Sequence, residues 1–127
     1  MREQAGLSLP PIFAPAVAAT YRGMVVEVPL ALHALPGRPT LAAVEETLAD
    51  AYRGSRVISI VSGNPTTVAI EENAGTDRLT LRVCGNEAAG QARLVATLDN
   101  LGKGAAGAAV QNLNVMAGFD PVAGLTL

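Results

Sequence analysis

The sequence predicts an α+β domain in which helices gather on one face of an antiparallel or mixed sheet. Three observations lead there. The segment Arg78-Leu79-Thr80-Leu81-Arg82-Val83-Cys84 alternates strictly, so Leu79, Leu81 and Val83 share one face while Arg78, Thr80 and Arg82 share the other. A helical recurrence of Leu41, Val44 and Leu48 begins directly after Thr40, a good N-cap residue. The elements follow one another as β-α-β-β-β-β-α, an order without the repeated βαβ units of a doubly wound parallel sheet.

In chain order, residues 1–23 read as an irregular lead-in, because Pro10, Pro11 and Pro15 remove backbone donors and hold their predecessors extended. A strand is expected from Met24 to Leu32, rich in β-branched residues, with Pro29 calling for an edge position, a bulge or a break after Val28. His33 to Pro39 turns the chain. The helix should run from Leu41 to about Arg53, bury one stripe, and stop at Gly54. Two short strands, Arg56 to Val61 and Thr66 to Glu71, flank Gly63-Asn64-Pro65 as a candidate hairpin. The alternating strand at 78–84 turns through Gly85 to Gly90 into another, Gln91 to Leu98. A helix of small residues from Lys103 to about Ala117 then ends at Gly118 and Pro121.

Half of the 127 residues are hydrophobic but only 3% are aromatic, and Trp is absent, so the core has to be assembled from Ala, Val, Leu and Ile. One domain over residues 1–127 is expected at this length. The net charge of −2 comes from scattered groups without a basic run, which argues against a nucleic-acid partner. Cys84 is the sole cysteine; it excludes an internal disulfide and any cysteine-based zinc site, and a reducing cytoplasm fits. Neither a signal-peptide core nor an apolar run long enough to cross a bilayer is present, so no membrane partner is expected.

No catalytic or metal-binding residue is assigned. Cys84 ends a strand without a helix N-terminus or a paired base to activate it, so it reads as a buried structural thiol. His33 sits in a turn with no second histidine and reads as a surface or packing residue. Gly102-Lys103-Gly104-Ala105-Ala106-Gly107 matches G-x-G-x-x-G and follows a predicted strand. A dinucleotide fingerprint also needs a second parallel strand and an acidic residue about 20 positions further on, for which the residues up to Leu127 leave no room. The glycines are therefore expected to let a helix lie very close to its neighbouring sheet, with contact to a cofactor held elsewhere as a secondary role.

The segment Leu98-Asp99-Asn100-Leu101-Gly102-Lys103-Gly104-Ala105-Ala106-Gly107-Ala108-Ala109-Val110-Gln111-Asn112 resembles the D-N-L-x-K-G-A-A-G-x-A-V-Q-N signature of N-acetyl-γ-glutamyl-phosphate reductases. Tyr21-Arg22-Gly23-Met24-Val25-Val26-Glu27-Val28-Pro29-Leu30 and Leu35-Pro36-Gly37-Arg38-Pro39-Thr40-Leu41 are similar to segments of that family's shorter branch. The resemblance implies the C-terminal substrate and oligomerisation domain of a glyceraldehyde-3-phosphate-dehydrogenase-like reductase. The implied reaction is NADPH-dependent reduction of an acyl phosphate to N-acetylglutamate semialdehyde in arginine biosynthesis. The family's N-P-G-C-x-x-T cysteine, its histidine and its Rossmann domain are not in this sequence. Met1-Arg2-Glu3 looks like the stretch just after that histidine, so Met1 is expected to match an internal methionine of a longer enzyme.

On that resemblance Arg22, with Tyr21 beside it, falls at the substrate side, where a guanidinium binds a carboxylate or phosphate by paired hydrogen bonds. Asn100, Lys103 and Gly104 fall at the cofactor side, toward NADP bound mainly by a Rossmann half in cis or in trans. The isolated chain is expected to be inactive and to form a homo-oligomer through its sheet. Competing readings are a non-catalytic dimeric scaffold, a small anion-binding module using residues 102–107, and a domain of an enzyme related to aspartate-semialdehyde dehydrogenases, which share a D-N-L-x-x-G-A-A segment.

Overall fold

Four strands form one mixed sheet in a computed structural model that describes residues 3–4 and 6–127. Met1, Arg2 and Ala5 lie outside the described residues, and with them the Met1 expectation. The strands are β1 (Met24–Ala31), β2 (Ile58–Ile60), β3 (Leu79–Asn86) and β4 (Gln91–Leu98), arranged β1-β4-β3-β2. β4 pairs antiparallel with both β1 and β3, whereas β2 runs parallel to β3. From residue 6 to the start of β1 the chain forms only turns, bends and irregular backbone.

β1 has a sheet partner on one side only, and its Pro29 faces Arg93 in the register. An edge strand tolerates the missing N–H, so the strand continues through Pro29 without a break. The expected candidate hairpin does not form: β2 reduces to three residues, and 66–69 is irregular and followed by turns. Asn64 is one reason. Its amide nitrogen donates to the Gly85 carbonyl and its Oδ1 accepts from the Gly85 N–H, so a side chain takes the place a strand backbone would hold beside the end of β3.

α1 (Leu41–Ala51) starts where the hydroxyl of Thr40 accepts from the Ala43 N–H at 3.1 Å. Gly54, at φ +76°, lies just past its end. The expected apolar stripe is only half-buried, since Leu41, Val44 and Leu48 each keep some exposure. α2 (Gly107–Ala117) follows a π-helical turn over Gly102–Ala106 and closes at Gly118 in the left-handed conformation. Leu113, Val115 and Met116 of α2 and the following Phe119 are exposed.

Strand register sorts the side chains into two unlike faces. On one, Met24, Val26, Val28 and Leu30 of β1 lie beside Leu98, Ala96, Leu94 and Ala92 of β4, then Leu79, Leu81 and Val83 of β3. α1 packs against the β3 side of this apolar face, with Leu41 over Gly85, while Met24, Val26 and Val28 stay 40–47% exposed. The opposite face carries Thr80, Arg82 and Cys84 of β3 against Thr97, Val95 and Arg93 of β4. The segment 70–77 covers it, and Cys84, Val95 and Thr97 are buried there to 1% exposure or less. Each fully buried Val or Leu of this small-residue core contributes roughly 1.5–3 kcal/mol.

The close fit at Gly85 is testable. A Cβ there would overlap backbone of Gln91 and Ala92 and press on Leu41 Cδ2 at 3.0 Å, whereas a Cβ at Gly54 meets nothing within 4 Å. Gly85→Ala should therefore cost about 1–3 kcal/mol in urea unfolding from overpacking. Gly54→Ala should cost about 1 kcal/mol, from left-handed backbone strain alone.

Candidate functional site at the end of the sheet

β4 delivers Asp99 to the point where four parts of the chain meet. Its carboxylate is wholly buried. Oδ1 accepts from the N–H groups of Leu101 at 2.8 Å and Gly102 at 3.0 Å, so Asp99 caps the turn that leads into α2. Oδ2 accepts from the Gly75 N–H at 2.6 Å and lies 3.2 Å from Nε of Arg22. Burial is the strongest single influence on this carboxyl and pushes its pKa up. The amides of Gly102, Gly75 and Leu101, joined by the Arg22 charge, outweigh it and hold the group below the usual carboxylate range.

Arg22 is held at one end only. Its Nε is buried and, lacking hydrogen-bond geometry, meets Asp99 as an ionic contact. Its side chain is 39% exposed, and among the described residues no acceptor is bonded to Nη1 or Nη2. Tyr21 is exposed, with its ring centroid 6.0 Å from the guanidinium carbon. Gly23 follows at φ +118°, where a Cβ would overlap the Ile70 carbonyl, so this crossing of chains admits only glycine.

The residues expected at the cofactor side, Asn100, Lys103 and Gly104, follow directly after Asp99. Asn100 Oδ1 accepts from the Gly23 N–H at 2.9 Å, tying the turn to the start of β1. The Asn100 side chain thus bonds toward β1, while the turn amides of Leu101 and Gly102 are taken by Asp99. The Asn100 amide nitrogen carries no hydrogen bond among the described residues, and Asn100 lines a cleft of about 490 Å³ with Thr20, Gly23, Met24 and Ile70. Lys103 Nζ donates to Gln111 Oε1 at 2.6 Å, which leaves the half-buried ammonium further donors. The Gly104 N–H donates to the Asp99 carbonyl at 2.8 Å. That corrects the expectation for Gly104: its amide is closed within the π turn and offers nothing to a phosphate.

The glycines of the 102–107 motif serve close approach, mostly to a loop rather than to the sheet. A Cβ on Gly102 would press on the Thr76 carbonyl, one on Gly107 would overlap the Asp77 carboxylate, and one on Gly104 would touch Leu98 Cδ1 at 3.2 Å. Asp77 also accepts from the Thr126 N–H through Oδ2, and its own N–H donates to the Thr126 carbonyl, which fastens the tail beside α2. A larger cleft, about 640 Å³, opens at the other end of the sheet beside the exposed His33 and Arg93; Arg93 is engaged with Glu27.

A polar network under the segment 70–77 escaped the sequence reading. Arg82 pairs with the Glu72 carboxylate, Thr97 Oγ1 donates to Glu72 Oε2 at 2.6 Å, and the buried Asn73 amide donates toward Thr80 Oγ1 and the Thr97 carbonyl. The available signal was the pair of threonines on adjacent alternating strands, which demand a polar cover if buried. This network holds Gly75 where its N–H reaches Asp99.

Fold and site together define a sheet domain that gathers Arg22, Asn100 and Lys103 at one end and leaves an open apolar face on β1. Residues 1–100 match the model of the family described as semialdehyde dehydrogenase, dimerisation domain. The chain belongs to that family, and the α+β class expected from the sequence is the one observed. It is 48% identical over 112 residues to the N-acetyl-gamma-glutamyl-phosphate reductase of Brucella anthropi, and 49% identical to those of Brucella ovis and Brucella canis. The similarity covers 85% of this chain but 36% of each relative, so the chain spans little more than a third of their length.

The Glu72–Arg82 pair makes a pH prediction. The hydrogen bond from Arg82 is the largest influence on Glu72 and, with that from Thr97, lowers its pKa against desolvation. A depressed carboxyl pKa adds stability that is present above the unfolded value, roughly 4.3, and is lost as pH falls through the folded value. Glu72→Gln should cost roughly 1 kcal/mol at pH 7, the partial exposure of Glu72 keeping the figure small. In urea titrations the two proteins should converge toward pH 3.

Proposed function

We propose that this chain is the substrate-binding and oligomer-forming part of an NADPH-dependent N-acetyl-γ-glutamyl-phosphate reductase, working with a Rossmann half supplied in cis or in trans. The observation that carries the reading in the geometry is the Arg22 guanidinium, in ionic contact with Asp99 at Nε and open at both terminal nitrogens, on the same sheet end as the unbonded Asn100 amide nitrogen. The names and 48–49% identity of the relatives support the reaction class.

A paired-donor guanidinium suits the carboxylate or acyl phosphate of such a substrate, and the exposed ring of Tyr21 has its centroid 6.0 Å from the guanidinium carbon. The glycine-rich turn does not fit a dinucleotide phosphate, because Asp99 engages the amides of Leu101, Gly102 and Gly104. NADP would therefore rest chiefly on the other half, with Asn100 and Lys103 at its border, and would supply the hydride. The nucleophile and the proton-transfer group belong to that half as well. The work of the present residues is to bind and orient the anionic substrate.

The exposed Met24, Val26 and Val28 support homo-oligomer formation through the sheet, since an apolar β-sheet face left in water favours a covering partner. Leu113, Met116 and Phe119 form a second exposed apolar surface beyond the part matched by the family model, suited to the Rossmann half. No described helix is long and apolar enough to cross a membrane. A cytoplasmic setting suits the lone free thiol.

The chain alone, given NADPH and N-acetyl-γ-glutamyl phosphate, should show only background oxidation of NADPH, and addition of a matching Rossmann half should restore turnover. In that complete enzyme Arg22→Ala should lower kcat/KM by roughly tenfold or more, and Asn100→Ala should raise the KM for NADPH. Unchanged kinetics for both variants would reject these roles. Val26→Glu with Val28→Glu should shift the chain to monomer in sedimentation; an unchanged oligomer would place the interface elsewhere.

A further inference from the structure

We infer that Asp99 is a positioning residue that grips Arg22 by Nε and so presents the two terminal nitrogens of the guanidinium to an oxyanion of the substrate. The inference rests on the reading of Arg22 as a substrate-binding group. It says which residue makes that group ready before the substrate arrives.

The argument turns on which partner needs the other. The Asp99 carboxylate is fully buried, yet three backbone N–H groups, from Leu101, Gly102 and Gly75, already satisfy it from three directions. Those amides rank above Arg22 in holding its pKa down. The carboxylate would thus remain paired without the arginine. Arg22 has no equivalent support: its aromatic neighbour is exposed, its terminal nitrogens bond to no described residue, and Asp99 Oδ2 is its only described ionic contact.

A long arginine side chain loses considerable rotamer freedom when it binds an anion, and fixing it beforehand removes that cost from the binding step. Contact through Nε leaves the Nη1–Nη2 edge open for a bidentate oxyanion. The same carboxylate caps the turn that begins beside Asn100, whose Oδ1 holds Gly23 next to Arg22. One buried group therefore sets the spacing between the substrate-side arginine and the cofactor-side asparagine.

Two measurements decide this on the chain itself. In ¹⁵N relaxation spectra the Arg22 Nε–Hε heteronuclear NOE, its signal assigned by loss in Arg22→Lys, should be that of a fixed side chain in the parent. It should collapse in Asp99→Asn while the Arg82 signal persists as a check of folding. An Arg22 signal unaltered by Asp99→Asn would overturn the inference. Arg22→Gln gives the second variant should Asp99→Asn not fold: its Tm should fall by less than about 4 °C. A larger drop would mean that the arginine exists to neutralise the carboxylate, which reverses the claim.

The complete reductase adds the functional arm. Run in the direction of phosphate uptake, Asp99→Asn and Arg22→Gln should each raise one KM by roughly tenfold with kcat changed by less than about twofold. If the KM for inorganic phosphate rises, the oxyanion is the phosphate; if that for the semialdehyde rises, it is the carboxylate. The double variant should be no worse than Arg22→Gln alone, since Asp99 acts through Arg22, and additive losses would refute that. A parent enzyme inactive toward this substrate would sink the reductase reading alone, while the spectra and Tm would still decide the relation of Asp99 to Arg22.

Discussion

A carboxylate with no exposure to water is the constraint around which this domain is organised. Burying a charge is costly unless hydrogen bonds and an opposite charge compensate it, and Asp99 collects three amides and a guanidinium within 3.2 Å. Those donors come from the covering segment, the turn after β4 and Arg22, two residues before β1. The three amides satisfy the carboxylate from two separate stretches of chain and the arginine joins them from a third, so one buried group ties three connections into one corner. The Asn100–Gly23 bond and the Gly23 crossing over Ile70 add to the same corner. Arg22 and Asn100 are both mounted there.

The two faces of the sheet follow from the same small-residue composition by different routes. Beneath the segment 70–77 the core closes by polar accounting: Thr80, Thr97 and Asn73 are buried, and each finds a partner in the others or in Glu72. On the other face there is little polar content and only one helix, which lies toward β3. Aliphatic residues of β1 are left uncovered as a consequence. A strand that sits at the edge and bears Pro29 has a blunted hydrogen-bonding rim, so its exposed side chains invite association face to face rather than edge to edge.

The parts of the fold with local causes were legible in the sequence. Thr40 and Gly54 bracket α1, Gly118 ends α2, and the alternation of 78–84 and 91–98 gives β3 and β4 nearly to the residue. What escaped was decided by pairings across long stretches of chain. Thr66 to Glu71 has strand-like residues, but the place beside β3 is taken by a three-residue β2 and by the Asn64 side chain. Arg82 and Thr80 look like a solvated face until the segment that covers them is known. In the site, Arg22 and Asn100 could be picked out by resemblance, whereas Asp99, directly before Asn100, had no assigned part because two of its four partners, Gly75 and Arg22, lie 24 and 77 positions away.

The glycine-rich motif shows why spacing alone does not make an anion site. An amide can bind a phosphate only if nothing in the protein already accepts from it, so the question is settled by counting acceptors, not glycines. Here one carboxylate takes the N–H groups of Leu101 and Gly102, and the π-helical register then sends the Gly104 N–H back to the Asp99 carbonyl. The positive end of the helix has been given a negative charge from within. The sequence carries that information one residue before the turn: an aspartate delivered by a buried strand, as Asp99 is by β4, supplies the anion that the G-x-G-x-x-G pattern would otherwise seek from a ligand.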